Sequence, residues 1–325
     1  MRQQVKRAII IIQLIFIKQE TGVDTTVKIG SLQLKNPVTV ASGTAGYGEE
    51  LSGYFDISRL GAIFTKGLSL EPRAGNRGPR IIETPSGMMN SIGLENVGIK
   101  VFLEEKLLFL LRNGAEVIPN IAGHSEDENV ELAHVLSHTD GINAVELNVS
   151  CPNVKEGGIA FGQDLAVFTR LVEKVRKVTD GVLIVKLSPN VTDVPAFAAA
   201  AKDCGADAVS AVNTFLGMKI DVSTRKPYFK NKVAGLSGPA IRPMAIRIVY
   251  QVYEKVGIPI IGIGGIMEFE DMLEFMMAGA TAVQVGTGNL VDPMMSSRFV
   301  DMLGTWCTEE KIQSVALLTG AAHAC

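Results

Sequence analysis

What most constrains this chain is a rhythm. From residue 37 onward, short β-branched runs alternate with longer helical patterns, and eight such runs can be counted: Val38 to Ala41, Ala62 to Thr65, Val117 to Ile121, Ala144 to Val149, Leu183 to Leu187, Ala208 to Val212, Pro259 to Ile263 and Ala282 to Val285. Parallel strands joined by helical crossovers make an α/β fold, and eight of them close a single (β/α)8 TIM barrel. The intervening helices carry the matching stripe. Leu165, Phe168, Val172 and Val175 recur at spacings of three and four, with Arg170, Lys174 and Lys177 turned to water. Ser125-Glu126-Asp127-Glu128 opens another helix with a capping box ahead of Val130, Leu132 and Val135, which leaves His124 in a loop.

At 325 residues and 47% hydrophobic content the chain is long enough for one barrel or two smaller domains. No low-complexity linker or sequence repeat divides it, so one barrel over residues 27–306 is the simpler account, with 307–325 as a tail. A net charge of −3 without a long basic run gives nucleic acid no purchase. Cys151, Cys204, Cys307 and Cys325 lie far apart and form no metal-ligand spacing. No resident metal is expected, and a reducing cytoplasm fits this cysteine usage. Residues 1–26 read as a leader outside the fold. Arg2, Lys6 and Arg7 precede an apolar run from Ala8 to Ile17, broken by Gln13, too short for the roughly 20 residues of a membrane span. Lys18-Gln19-Glu20 follows in place of a small-residue cleavage site.

Barrel chemistry sits at the carboxyl ends of the strands. One or two places past each run stand Ser42, Lys66, Asn120, Asn148, Lys186, Asn213, Gly264-Gly265 and Gly286-Thr287, so every strand ends on a polar residue or glycine. Any one of these suits a turn on local grounds. Two lysines at interior strand ends, however, need an anion or a polarised carbonyl to receive them. Glycine pairs after the last two strands suit a phosphate, because amides without side chains approach it closely. Ile261-Gly262-Ile263-Gly264-Gly265 is not a dinucleotide fingerprint, since its third glycine is misplaced and it lies late in the chain. Two stretches exceed ordinary loop length, Ser69 to Leu94 and Thr214 to Ser237, and insertions at a barrel mouth usually cover a ligand.

Asn148-Val149-Ser150-Cys151-Pro152-Asn153 sets a thiol among amides where the fourth run stops. Free cysteines are often buried and inert. Here no histidine or aspartate stands nearby in sequence to make a nucleophilic dyad, so a base that removes a proton from carbon fits better. Gly157 and Gly158 just downstream read as hinges for a lid.

Four motifs, Asn90-Ser91-Ile92-Gly93-Leu94, Asn148 to Asn153, Lys186-Leu187-Ser188-Pro189 and Ile263-Gly264-Gly265, resemble in sequence and order those of the flavin-dependent dihydroorotate dehydrogenases, with the likeness spanning Val27 to Trp306. Within that family a cysteine base marks the class 1 enzymes, whereas the membrane-bound, quinone-linked class 2 enzymes use serine. Val154-Lys155-Glu156-Gly157-Gly158 and Phe161-Gly162 resemble subclass 1B, whose acceptor is NAD⁺.

The resemblance implies one FMN per chain held by Ser42, Lys66, Gly67, Asn120, Asn148, Lys186, Val212, Gly238, Gly264, Gly265, Gly286 and Thr287. It implies that Lys66, Asn90, Ser91, Ile92, Gly93, Leu94, Asn148, Asn153, Asn213 and Thr214 hold dihydroorotate. Cys151 would take the C5 proton while hydride leaves C6 for flavin N5, giving orotate for pyrimidine biosynthesis. It also implies an electron-transfer subunit carrying FAD and a [2Fe–2S] centre, in a heterotetramer around a catalytic homodimer. Rival readings are a fumarate-linked class 1A enzyme, a dihydropyrimidine-reducing relative, a Schiff-base aldolase using Lys186, and a binding-only barrel, which would leave Cys151 and both lysines without a purpose.

Overall fold

The structure, a computed structural model, describes residues 22–150 and 161–324. Its centre is a parallel sheet whose staves are β1 (Val38–Val40), β2 (Ala62–Phe64), β3 (Val117–Ile118 and Asn120–Ile121), β4 (Ala144–Asn148), β5 (Val182–Lys186), β6 (Ala208–Ala211), β7 (Ile260–Ile263) and β8 (Ala282–Val285). The order of hydrogen-bonded neighbours begins with Val117–Ile118 beside β2 and ends with Asn120–Ile121 beside β4. These two ends are halves of one stave, so the sheet closes into the expected eight-stave barrel.

The break at Pro119 has a local cause. Proline has no N–H to give a ladder, while its carbonyl still accepts from the Glu146 N–H at 2.9 Å. Val and Ile dominate the staves because a barrel strand is buried on both faces, against the interior and against the outer helices. Along β4, Ala144, Glu146 and Asn148 face inward, and Val145 and Leu147 face out. The register sets Asn120 opposite Glu146, Lys186 opposite both Asn148 and Ser210, and Gln284 opposite Ile263 and Thr39.

The helix Leu165–Arg176 starts at Asp164, whose carboxylate accepts from the amides of Ala166 and Val167. Its buried face is Phe168, Leu171, Val172 and Val175. Leu165 is 43% exposed, so the stripe begins one turn later than expected. Ser125 caps the helix Glu126–Ser137 by accepting from the Glu128 N–H. The Glu128 carboxylate turns to the amides of His124 and Leu70, which ties this helix to the first long insertion.

The two insertions are not loops alone. Ile81–Thr84, Gly87–Asn90, Val233–Ser237 and Phe215–Met218 form a four-stranded antiparallel sheet in which the two insertions pair, Asn90 opposite Gly235 and Met89 opposite Leu236. At the other end, the hairpin Val27–Ile29 and Leu32–Leu34 sets its turn at Gly30 against Asp207, just ahead of β6, and so covers the amino-terminal end of the barrel.

The boundary expected at residue 306 needs correcting. It falls inside the helix Met295–Glu309, and Cys307, Val315 and Leu318 beyond it are buried in the main core. Backbone bonds from Asp24 N to Gln313 O and from Val315 N to Asp24 O join the two ends of the described chain, because both cover the same edge of apolar core. Residues 1–21 lie outside the described residues. Among the described residues no helix is long and apolar enough to cross a membrane.

Candidate active site

A cavity of about 810 Å³ opens at the carboxyl ends of the staves, roofed by the sheet of the two insertions. This volume suits a cofactor and a small substrate together. Of the residues expected at the site, it gathers Ser42, Lys66, Gly67, Asn90 through Leu94, Asn120, Asn148, Lys186, Val212, Asn213, Thr214, Gly238, Gly264, Gly265, Gly286 and Thr287. Cys151, Asn153 and the expected hinge at Gly157 and Gly158 lie outside the described residues.

The floor is polar and buried. Lys186 closes β5 with its side chain almost wholly buried, its Nζ donating to Ser42 Oγ at 3.2 Å and standing 3.6 Å from Glu146 Oε1. Asn120 donates from Nδ2 to Glu146 Oε1 at 2.6 Å. Its Oδ1 is buried without a partner among the described residues. A buried acceptor in this state costs free energy unless a ligand N–H meets it. Gly67 packs against that oxygen: a Cβ there would stand 2.9 Å from Asn120 Oδ1 and 3.1 Å from the Ala122 methyl.

On one wall, Asn213 donates from Nδ2 to Asn148 Oδ1 at 3.2 Å and to Ser150 Oγ at 3.0 Å, fixing the strand end that leads into Cys151. On the opposite side, Lys66 stands half-buried at the end of β2. Burial holds its ammonium below the usual lysine range; Glu95 and Glu50 pull the other way, and Arg80 adds to the lowering. Gly264 and Gly265 follow β7, and a Cβ on Gly265 would meet the Arg242 Cβ at 2.7 Å and Gly238 O at 2.8 Å. The chain there can be glycine alone, which leaves bare backbone for an anionic group.

Several residues that shape the site were not singled out from sequence. Glu146, fully buried inside the barrel, accepts from Asn120, Ser210 and Gln284. Asn76 donates to Ser91 O, and Asn96 to Leu94 O, bracing the Asn90 to Leu94 segment from outside. Asn190 donates to Thr214 O at 3.0 Å and accepts from the Leu216 N–H at 2.9 Å. The lone charge in the apolar run of β4 was the readable sign of Glu146. Asn76 and Asn190 carried none, because their partners are remote in sequence.

An acceptor, a buried cation and bare glycine backbone around one cavity suit a planar ring with N–H and C=O groups and a phosphate tail. Comparison with known proteins agrees with this chemistry. The family model described as dihydroorotate dehydrogenase matches residues 25–305. A protein from Trichlorobacter lovleyi named dihydroorotate dehydrogenase B (NAD(+)), catalytic subunit, is 51% identical over 296 residues, covering 91% of this chain and 97% of its own length. Proteins of the same name from Desulforamulus reducens and Carboxydothermus hydrogenoformans are 51% and 52% identical, each over 91% of this chain and over 98% and 97% of their own lengths. This chain belongs to the dihydroorotate dehydrogenase family.

Proposed function

We propose that the chain is the catalytic subunit of an NAD⁺-linked dihydroorotate dehydrogenase that oxidises dihydroorotate to orotate for pyrimidine synthesis. The observation that carries this reading is a buried Asn120 Oδ1 without a partner among the described residues together with the buried Lys186 ammonium, both residues lining a cavity large enough for a flavin and a pyrimidine. Bound FMN would supply the acceptor for the hydride that leaves C6 of dihydroorotate. Asn120 and Lys186 would hold its polar edge, and the backbone of Gly264, Gly265, Gly286 and Thr287 its phosphate.

The residues of this chain do the rest. The Cys151 thiolate takes the C5 proton as a positioned general base. Lys66 receives the substrate carboxylate, and Asn90, Asn148, Asn153 and Asn213 match the alternating N–H and C=O groups of the ring. The roof of the two insertions keeps water from the reacting carbons. A fixed cation at Lys186 stabilises negative charge that builds on the ring facing it.

The word subunit in the relatives' names supports a partner protein. We place FAD and a [2Fe–2S] centre on it, in a heterotetramer around a homodimer of this chain, working in the cytoplasm. The test is anaerobic. Dihydroorotate added to FMN-loaded protein should bleach the flavin, and NAD⁺ should restore the colour only when the partner is present. Turnover with fumarate by the chain alone would assign the other acceptor. Cys151→Ala should keep the yellow cofactor and slow bleaching by about 10²- to 10⁴-fold; undiminished bleaching would remove Cys151 from the mechanism.

A further inference from the structure

Glu146 is a fully buried carboxylate that the proposed chemistry does not use. Burying a carboxylate is costly unless every lone pair is met, and here they are met from across the barrel. Oε1 accepts from Asn120 Nδ2 of β3 and faces Lys186 of β5. Oε2 accepts from Ser210 Oγ of β6 at 2.6 Å and from Gln284 Nε2 of β8 at 2.9 Å. The inward side chain of one stave thus ties four others.

Two effects on the site follow. An ionised carboxylate only accepts, so it fixes which end of the Asn120 amide it binds; Nδ2 turns down to Glu146, and Oδ1 is left on the side of Gly67, a residue of the cavity lining. A reversed Asn120 would offer N–H groups where the site now offers an oxygen. In addition, a negative charge 3.6 Å from Lys186 Nζ offsets part of the positive potential at the cavity floor.

We propose that Glu146 is a positioning residue that sets both the hydrogen-bond polarity of Asn120 and the effective charge of Lys186 toward a bound flavin. This inference rests on the flavin reading given above. Without the Glu146 charge, Asn120 is free to reverse and Lys186 acts as a fuller cation. A Glu146→Gln protein should therefore bind FMN about tenfold more weakly, because a reversed Asn120 leaves a ligand N–H without its acceptor. Its bound flavin should have a more positive midpoint potential, because the negative charge gained on reduction meets a less neutralised lysine. A role confined to packing would weaken binding without that positive shift.

The experiment titrates apoprotein with FMN by fluorescence quenching and measures the potential of the bound flavin by redox titration. Glu146→Asp, which keeps the charge, should hold the wild-type potential. E146Q with wild-type affinity and potential overturns the proposal, as does a loss of affinity without a positive shift. If E146Q does not fold, the wild-type protein decides. It should bind FMN methylated at N3 at least about tenfold more weakly than FMN, because Asn120 offers that N–H an acceptor; equal binding overturns the proposal. Wild-type apoprotein that takes up no FMN at all would overturn the flavin reading together with the inference built on it.

Discussion

Position 67 shows how tightly a single residue can be fixed. A methyl group on Gly67 would intrude on Asn120 Oδ1, an acceptor without a partner among the described residues, at 2.9 Å, and on the Ala122 methyl at 3.1 Å. Both neighbours are buried and cannot swing away. Gly67→Ala should weaken FMN binding by about tenfold or more and also lower the stability of the apoprotein by about 1–3 kcal/mol, the cost of an overpacked site. Isothermal titration checks this, and unchanged affinity would mean that the oxygen is not used. Lys66 gives a prediction in pH. Its pKa is lowered mainly by burial, so the free protein loses this charge earlier on raising pH than an exposed lysine would. Dihydroorotate, being anionic, binds the charged form. The affinity should therefore be complete at neutral pH and fall on the alkaline side from a point below the usual lysine range, read as a bend in log KM against pH. A bend at or above that range would separate Lys66 from the substrate carboxylate.

At the scale of elements, the roof is held in place by braces from outside the cavity lining. Asn190 holds the segment after β6 by two hydrogen bonds, to Thr214 O and from Leu216 N–H, without lining the cavity itself. With each bond worth about 0.5–1.5 kcal/mol, Asn190→Ala should raise KM for dihydroorotate by about tenfold and change kcat far less. Steady-state kinetics with saturating acceptor separates the two, and a loss in kcat alone would contradict the brace. The same segment shows where sequence reading stops. The staves and the rim could be read, because β-branched runs and the polar residues that end them are local signals. Residues such as Ser42, Lys66 and Lys186 follow from position along a strand. That both insertions cover the mouth could be read from their length, but their pairing could not, since Asn90 and Gly235 are 145 residues apart and nothing local in either insertion names the other. Glu146 shared this difficulty, with partners between 26 and 138 residues away.

At the scale of the whole molecule, the barrel depends on chain that the sequence pattern leaves blank. Residues after Trp306 carry no βα rhythm, yet Cys307, Val315 and Leu318 complete the core, and His323 stacks on Tyr250 at 3.7 Å. A fully buried aliphatic side chain contributes about 1.5–3 kcal/mol. A chain ending at residue 306 should therefore lose more than about 3 kcal/mol of stability, measured by denaturant unfolding in the absence of ligand. A loss under about 1 kcal/mol would show that these contacts do not matter in solution.

The closure of the barrel also sets an order of events during synthesis. β1 pairs early with β2 but finds its second neighbour only in β8, through Val40 and Val285, and the early half of the roof waits for the residues around 233–237. A nascent polypeptide that has emerged only as far as β5 carries Asn120, Glu146 and Lys186 but no vessel in which they converge. Capture of a prosthetic group thus belongs to the last stage of maturation, after nearly the full length has left the ribosome.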